Sequence, residues 1–328
     1  MVARREKVIL VAGGAGFVGS HLCKKFLGQG HKVTCVDNFL TGDISNVRAL
    51  LDDPNFQLLR HDICDPLKWP GPIDEIYNMA CAASPSRYQS DPIHTAKTCF
   101  QGTLNLLDLA EEKNARILQS STSEVYGDPE VSLQSEDYLG NVNICGPRAC
   151  YDEGKRISET LMWEYGTHRG VETRIARIFN TYGPYMHPED GRVVSNFVVQ
   201  ALQGDDITIY GTGQQTRSFC FISDLVEGLT RLMASGEKMP VNLGNPVEFT
   251  MLELAEQVIA KTGSRGSKLA YQPLPQDDPQ QRRPDITRAK MILDWAPRVS
   301  LSDGLDMTVS WYRDRLIADR DAAAIAGQ

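Results

Sequence analysis

Along the first half of the chain, short runs rich in β-branched and other apolar residues alternate with longer stretches whose apolar residues recur at helical spacing. Strands are predicted at Lys7–Ala12 (KVILVA), Lys32–Asp37 (KVTCVD), Phe56–Arg60 (FQLLR), Glu75–Ala80 (EIYNMA), Ala115–Ser120 (ARILQS) and Glu172–Phe179 (ETRIARIF). Between them the spacing predicts helices near 17–29, 92–113 and 148–169. Such alternation gives an α/β fold, a doubly wound parallel sheet covered by helices on both faces. Beyond about residue 180 Pro and Gly become denser, and the pattern predicts helices near 192–204, 224–235, 250–262 and 302–317 with a strand near 207–210. The sheet domain is therefore expected over 1–180, with segments near 211–240 returning to it. A smaller C-terminal α/β domain is expected over 181–328, and its final residues, DRDAAAIAGQ, carry no readable pattern.

Bulk properties work by exclusion. A chain of 328 residues suffices for one large domain or two moderate ones. The net charge of −8 and the pI near 5.3 argue against nucleic acid, which needs a basic surface. An anionic small molecule would instead need a few locally placed Arg and Lys residues. The eight cysteines, at 23, 35, 64, 81, 99, 145, 150 and 220, form no C-x-x-C pair, and several sit inside apolar runs. Buried free thiols are expected, with no metal site and no disulfide framework. No run of about 18 apolar residues exists, so no membrane span is expected. The opening MVARREK lacks secretory features, and a soluble cytoplasmic protein is the expectation.

VILVAGGAGFVGSHL places Gly13, Gly16 and Gly19 after the first strand and at the opening of a helix, with Phe17 and Val18 in the same turn. Such glycines allow a tight turn and a close backbone approach to a pyrophosphate, which meets the helix N-terminus. Asp37 ends the second strand, 18 residues beyond Gly19, and is followed by Asn38 and Phe39. A carboxylate there accepts the ribose 2′-hydroxyl and repels a 2′-phosphate, which favours NAD over NADP. Asp62 and Ile63 follow the third strand, where they could reach the adenine. The first domain thus reads as a Rossmann-type NAD-binding unit; the alternative is a glycine-rich turn without a ligand.

Tyr151 and Lys155 in RACYDEGKRISETLMWEY are four apart and share one helix face. A tyrosine with a pKa of about 10 is a poor base at neutral pH, but an adjacent ammonium and a cationic nicotinamide favour the phenolate. That phenolate can take a hydroxyl proton as the same carbon is oxidised. STSEVYG (Ser121–Gly127) follows the fifth strand and sets Glu124 beside Thr122 and Ser123. From this stretch alone a solvated turn acid and a catalytic acid are equally open.

In its long blocks STSEVYGDPEV, GPRACYDEGKR, RIFNTYGPYMHPEDGRVVSNF, YGTGQQTRSF, VNLGNP and QDDPQQRRPDI, the chain resembles the extended short-chain dehydrogenase/reductase family, and within it the UDP-glucuronate decarboxylase (UDP-xylose synthase) branch. The resemblance covers nearly the whole chain. It implies oxidation of C4 of a nucleotide-linked sugar by bound NAD, loss of the C5 carboxylate from a 4-keto intermediate, and protonation of C5. Reduction of C4 then completes the conversion of UDP-glucuronate to UDP-xylose. It implies catalytic roles for Thr122, Glu124, Tyr151, Lys155 and Arg282. Glu124 would repel or desolvate the carboxylate, or hold a ring hydroxyl or water; Arg282 would dock the carboxylate and relay a proton. Related 4,6-dehydratases carry Asp-Glu after the Thr, where this chain has Ser123, and 4-epimerases have small residues there. Thr98, Thr181, His187 and Arg192 match cofactor positions, His187 as a hydrogen-bonding residue rather than a base or metal ligand. Lys97, Asn105, Asn180, Asn196, Tyr210 and Arg217 match positions around the nucleotide sugar.

One segment departs from the family pattern: NMACAASPSRY (Asn78–Tyr88), in which Asn78, Cys81, Ala82 and Arg87 differ, leaving the sugar preference open. Relatives form homodimers through two helices per subunit. Here the apolar Leu104, Leu107, Ile157, Leu161 and Trp163 fit that pairing or burial within one chain. Competing functions are an oxidative decarboxylase releasing the 4-keto pentose and NADH, a nucleotide-sugar 4-epimerase, and an NAD-binding scaffold without catalysis.

Overall fold

Apolar runs that are continuous rather than alternating suit strands buried on both faces, because successive side chains point to opposite sides of a sheet. The computed structural model, which describes residues 5–273 and 282–326, shows this directly. Ile9, Val11, Val33, Cys35, Tyr77 and Leu118 pack into one core, whereas Leu10, Ala12, Val36, Ile76, Ile117 and Ile175 pack into a second. The strands are β1 (Val8–Ala12), β2 (Lys32–Asp37), β3 (Phe56–Arg60), β4 (Glu75–Asn78), β5 (Arg116–Thr122) and β6 (Thr173–Ile178). With a seventh, Val241–Leu243, they form one parallel sheet in the order β3-β2-β1-β4-β5-β6-Val241–Leu243. The order reverses at β1, between β2 and β4. In open α/β sheets a crevice opens at such a switch, beyond the carboxyl ends of the strands.

The helix Phe17–Gly28 buries Leu22, Cys23 and Phe26 against the sheet. It can start so close to β1 only because position 19 is glycine: a Cβ there would lie 2.1 Å from the Gly13 carbonyl oxygen. The helix expected near 92–113 is broken into Pro92–Lys97, a wide π turn at Thr98–Gly102, and Thr103–Lys113. Within that turn the Cys99 carbonyl accepts a hydrogen bond from Ser158 Oγ at 2.8 Å. Ser158 lies on the 20-residue helix Ala149–His168, which carries Tyr151 and Lys155.

Past residue 180 come the helices Val193–Gln203, Ile222–Ala234, Met251–Thr262, Thr287–Leu293 and Leu301–Ala326. The last runs well beyond the expected 302–317. Ile207–Tyr210 pairs in parallel with Leu269–Gln272, and Thr216–Ser218 pairs antiparallel with Glu248–Thr250. Helix Ile222–Ala234 packs on β5, β6 and the helix Phe17–Gly28. Gln134, in the long loop after β5, pins a distant segment. Its N–H donates to Arg283 O (2.9 Å), its carbonyl accepts from Asp285 N (2.8 Å), and its side-chain oxygen accepts from Arg283 N (2.7 Å). Residue 282 is thereby held at the carboxyl end of β5. The part of QDDPQQRRPDI at 276–281 lies outside the described residues.

Gly19→Ala is expected to destabilise the protein by about 1–3 kcal/mol, the usual range for forced overpacking. Denaturant unfolding measures it; wild-type stability would show that the turn can shift without cost.

Candidate active site

The crevice at the switch is a cavity of about 830 Å³. Its lining includes Gly13, Gly16, Phe17, Val18, Gly19, Asp37, Asn38, Phe39, Asp62, Ile63, Thr98, His187 and Arg192, all expected at a cofactor. Gly13 has φ +72°, and a Cβ on it would lie 2.7 Å from the Met79 carbonyl carbon. The first N–H groups of the helix Phe17–Gly28 have no carbonyl one turn earlier and face the space that a pyrophosphate needs. Asp37 accepts from Ala15 N (2.9 Å) and Phe39 N (2.8 Å); burial pushes its carboxyl up, against these amides. Two non-glycine residues with left-handed backbone, Phe39 (φ 62°) and Tyr185 (φ 70°), also line the cavity. Such conformations persist where the surroundings hold them and concentrate at binding sites.

Asp62 is held by Asn38 Nδ2 (2.8 Å), His94 Nε2 (2.9 Å) and Cys64 N (2.9 Å). Burial opposes its charge, but these bonds outweigh burial and keep the carboxyl well below the usual range. His187 Nδ1 accepts from Glu189 N at 3.1 Å, which makes it part of a loop turn in the cavity wall. Glycine cradle, helix terminus and Asp37 together fit NAD. Thr181 is buried, pairs with Cys220 and donates to Phe179 O at 2.9 Å.

Beside this cavity, helix Ala149–His168 brings Tyr151 and Lys155 to the end of β5. Lys155 Nζ donates to Ser120 O at 2.8 Å and lies 5.7 Å from the Tyr151 ring centroid. Tyr88 stacks on Tyr151, with centroids 4.9 Å apart and an interplanar angle of 3°. Burial, then the neighbouring Cys81 and Glu124, push the Tyr151 hydroxyl well above the tyrosine range; a hydrogen bond with Thr122 works the other way. Burial is the largest of these influences, and the Lys155 ammonium is tied to the Ser120 carbonyl.

Glu124 sits in a short 3₁₀ turn, Ser123–Tyr126, capped by Thr122, whose Oγ1 accepts from Glu124 N at 3.2 Å. It is not a solvated turn acid. Its Oε2 accepts from Arg148 Nη2 at 2.7 Å and from Arg282 Nη2, while Arg282 Nη1 donates to Ser123 Oγ at 2.9 Å. Burial raises the Glu124 carboxyl, but the two guanidiniums outweigh it and hold the group below its ordinary value. Arg148, which the sequence reading did not single out, is therefore a full member of the site. Asp152, one residue after Tyr151, is buried and its carboxyl is raised to about 7, first by burial and then by Glu124. Asp152 Oδ1 and Tyr88 Oη are buried without a hydrogen-bond partner among the described residues.

The expected nucleotide-sugar residues lie on several different elements. Arg217 is buried in the strand Thr216–Ser218, where Ser218 Oγ donates to Arg282 O at 3.2 Å. Asn180 lies between β6 and Thr181, and its carbonyl accepts from Cys220 N. Asn196, in the first turn of Val193–Gln203, donates to Gly191 O at 3.1 Å. Tyr210 and Lys97 are exposed. Asn105 instead donates to Ile63 O at 2.8 Å, so it buttresses the cofactor wall. Arg87, from the departing segment, lines the cavity and reaches the Glu189 carbonyl at 3.5 Å.

A raised carboxyl binds its proton in the folded state while the unfolded chain has already released it. Between about pH 4 and 7, Asp152 therefore costs stability progressively as pH rises. Asp152→Asn is expected to raise the melting temperature, with a larger gain at pH 8 than at pH 5; equal gains would show that Asp152 titrates normally.

Residues 10–308 match the family model described as GDP-mannose 4,6 dehydratase. UDP-glucuronic acid decarboxylase 1 of Danio rerio is 54% identical over 311 residues, 95% of this chain and 74% of that protein. UDP-glucuronic acid decarboxylase 4 of Arabidopsis thaliana is 53% identical over 317 residues, 97% of this chain and 71% of that protein. Among solved structures, a UDP-glucuronic acid 4-epimerase variant from Bacillus cereus, complexed with UDP-4-deoxy-4-fluoro-glucuronic acid and NAD, superposes with a TM-score of 0.85 at 27% identity, covering 94% of this chain and 99% of that one. A dTDP-glucose 4,6-dehydratase from Streptomyces venezuelae with NAD bound gives 0.84 at 27% identity, covering 94% and 97%. The two solved structures share the fold and differ in sugar chemistry, whereas both of these sequence relatives are UDP-glucuronic acid decarboxylases. The chain belongs to the GDP-mannose 4,6 dehydratase family of nucleotide-sugar enzymes and, within it, to the UDP-glucuronic acid decarboxylases.

Proposed function

We propose that this chain converts UDP-glucuronate to UDP-xylose and CO2. The observation that carries the reading is Glu124 clamped between Arg148 and Arg282 beside Tyr151. Two guanidiniums and one carboxylate leave a net positive charge, and guanidinium forks suit a sugar carboxylate. Glu124 then serves to hold two arginines in place, and the local field attracts the substrate's carboxylate instead of repelling it. NAD+, which the glycine turn (Gly13, Gly16, Gly19) and Asp37 would hold, would supply the oxidation of C4 and its later reduction, and its positive charge would favour the Tyr151 phenolate. Tyr151 takes the C4 hydroxyl proton, with Thr122 fixing its oxygen. Once C4 is a ketone, the C5–C6 bond breaks, CO2 leaves, and the electron pair passes into the C4 carbonyl as an enolate. A proton then adds at C5. Arg282 is too weak an acid to give it directly, so its part is to dock the carboxylate and afterwards to orient the donor water. Asn180, Asn196 and Arg217 hold the diphosphate end in this reading, with Tyr210 at the uridine.

The working unit in this reading is a homodimer. Phe100 (45% exposed), Ile157 (37%) and Trp163 (47%) are exposed apolar residues in the π turn and on the helix Ala149–His168, the segments that the resemblance pairs, while Leu107 is fully buried within the chain. Among the described residues, no helix is long and apolar enough to cross a membrane. A cytoplasmic setting is supported by the eight cysteines, all free, of which Cys145 is exposed.

Incubation with UDP-glucuronate, followed by mass and NMR, is expected to give UDP-xylose without net NADH. Tyr151→Phe is expected to lower kcat by at least about 100-fold, the low end for loss of a general base. Release of a 4-keto pentose with equivalent NADH would make the chain an oxidative decarboxylase, and a product that keeps its carboxylate would mean epimerisation. Light scattering on Trp163→Glu is expected to show monomers where the wild type shows dimers; a monomeric wild type would refute the assembly.

A further inference from the structure

Two thiols flank the catalytic helix and have no part in the chemistry above. Cys81 lies in the turn after β4 and lines the cofactor cavity. Cys99 lies in the π turn Thr98–Gly102 and is 2% exposed. The two come from different segments, yet their Sγ atoms are 3.5 Å apart and both are free. They differ in character. The hydrogen bond between the two sulfurs lowers the Cys81 thiol to about 7, with Lys155 and His94 adding to it against burial. Cys99 is pushed well up, by that same bond and by burial. Cys81 faces the cavity, and the buried Cys99 lies behind it in the π turn. That division suits an attacking and a resolving cysteine.

We propose that Cys81 and Cys99 form a reversible disulfide that switches the enzyme off. With a disulfide oxidant such as glutathione disulfide, the Cys81 thiolate attacks one sulfur and expels a glutathione thiolate. Cys99, losing its proton, then attacks Cys81 Sγ and expels the second glutathione. Two cysteine thiols are oxidised and one glutathione disulfide is reduced to two glutathiones.

The consequence follows from position. Closing the sulfurs from 3.5 Å to a bond of about 2.05 Å draws the cavity wall after β4 toward the π turn. Cys99 also packs directly on the catalytic helix: a Cβ at Gly154, next to Lys155, would lie 3.0 Å from Cys99 Cβ. Cys81 is, after burial, the main influence on the Tyr151 hydroxyl, so its oxidation alters the base as well as the cofactor wall. A dinucleotide filling the cavity covers Cys81. Bound NAD+ therefore protects the thiol pair, and the cofactor-free enzyme is the oxidisable form.

The test treats the purified protein with glutathione disulfide, with and without excess NAD+, and maps peptides by mass spectrometry without reduction. The expected result is a Cys81–Cys99 linkage, lighter by two hydrogens, that forms more slowly with NAD+. Turnover of UDP-glucuronate and calorimetric NAD+ affinity should both fall at least tenfold and return with dithiothreitol. Cys81→Ala and Cys99→Ala should each lose the linkage and keep, after oxidant, the NAD+ affinity that each shows when reduced. A glutathione adduct that stays on Cys81, a bond to the nearby Cys150 instead, or a linkage that leaves NAD+ affinity unchanged would each overturn the proposal. Mass and affinity are read independently of the sugar, so failure of the decarboxylase reading would be separable.

Discussion

The site rests on one buried ion cluster. Glu124, at the end of β5, is largely removed from water, and a lone carboxylate there would be too costly to keep charged. It stays charged because Arg148, just before the catalytic helix, and Arg282, from the far end of the chain, both donate to the same oxygen. Removing one partner of such a cluster typically costs about 3–5 kcal/mol, far more than any surface pair. The cluster therefore ties three distant segments into one geometry. Gln134 supports it from behind by holding 283–285 along its backbone.

The sheet places this cluster where it can act. Parallel strands end together, so β1, β2, β4 and β5 deliver the glycine turn, Asp37, the Cys81 turn and Glu124 to the same edge. The helix Ala149–His168 crosses that edge with Tyr151 toward the cluster and Lys155 on the Ser120 carbonyl. Cys81, which lines the cofactor cavity, packs with Tyr88 and Tyr151, and the Glu124 charge acts on the same Tyr151. Chemistry on the sugar and redox chemistry at the thiols depend on the same few side chains.

Much of the fold was legible: β2 and β3 begin and end where the residues alone place them, β2 as a buried run and β3 as a half-exposed edge strand. Val241–Leu243 was not, since three residues carry no period, and only pairing with β6 makes it a strand. The glycine turn and Asp37 were readable as local chemistry. Arg148 was not, because its meaning lies in a contact with a residue 24 positions away. Arg282 was reachable only through resemblance; locally it is one of two adjacent arginines, and nothing in the sequence says which one is buried. At Tyr151, spacing puts Lys155 on the right face, but it could not show that the ammonium is held by the Ser120 carbonyl or that burial weighs most on the phenol.

The central claim is that Glu124 is a permanently paired carboxylate, an anchor for two arginines rather than a proton donor. Isotope-edited infrared difference spectra of the wild type and Glu124→Gln test it most directly. The account predicts a carboxylate band unchanged between about pH 5 and 8, since the group lies below its ordinary value of about 4.3. A protonated carbonyl band that titrates near neutrality would contradict it, and Glu124 would then be an acid in the reaction itself.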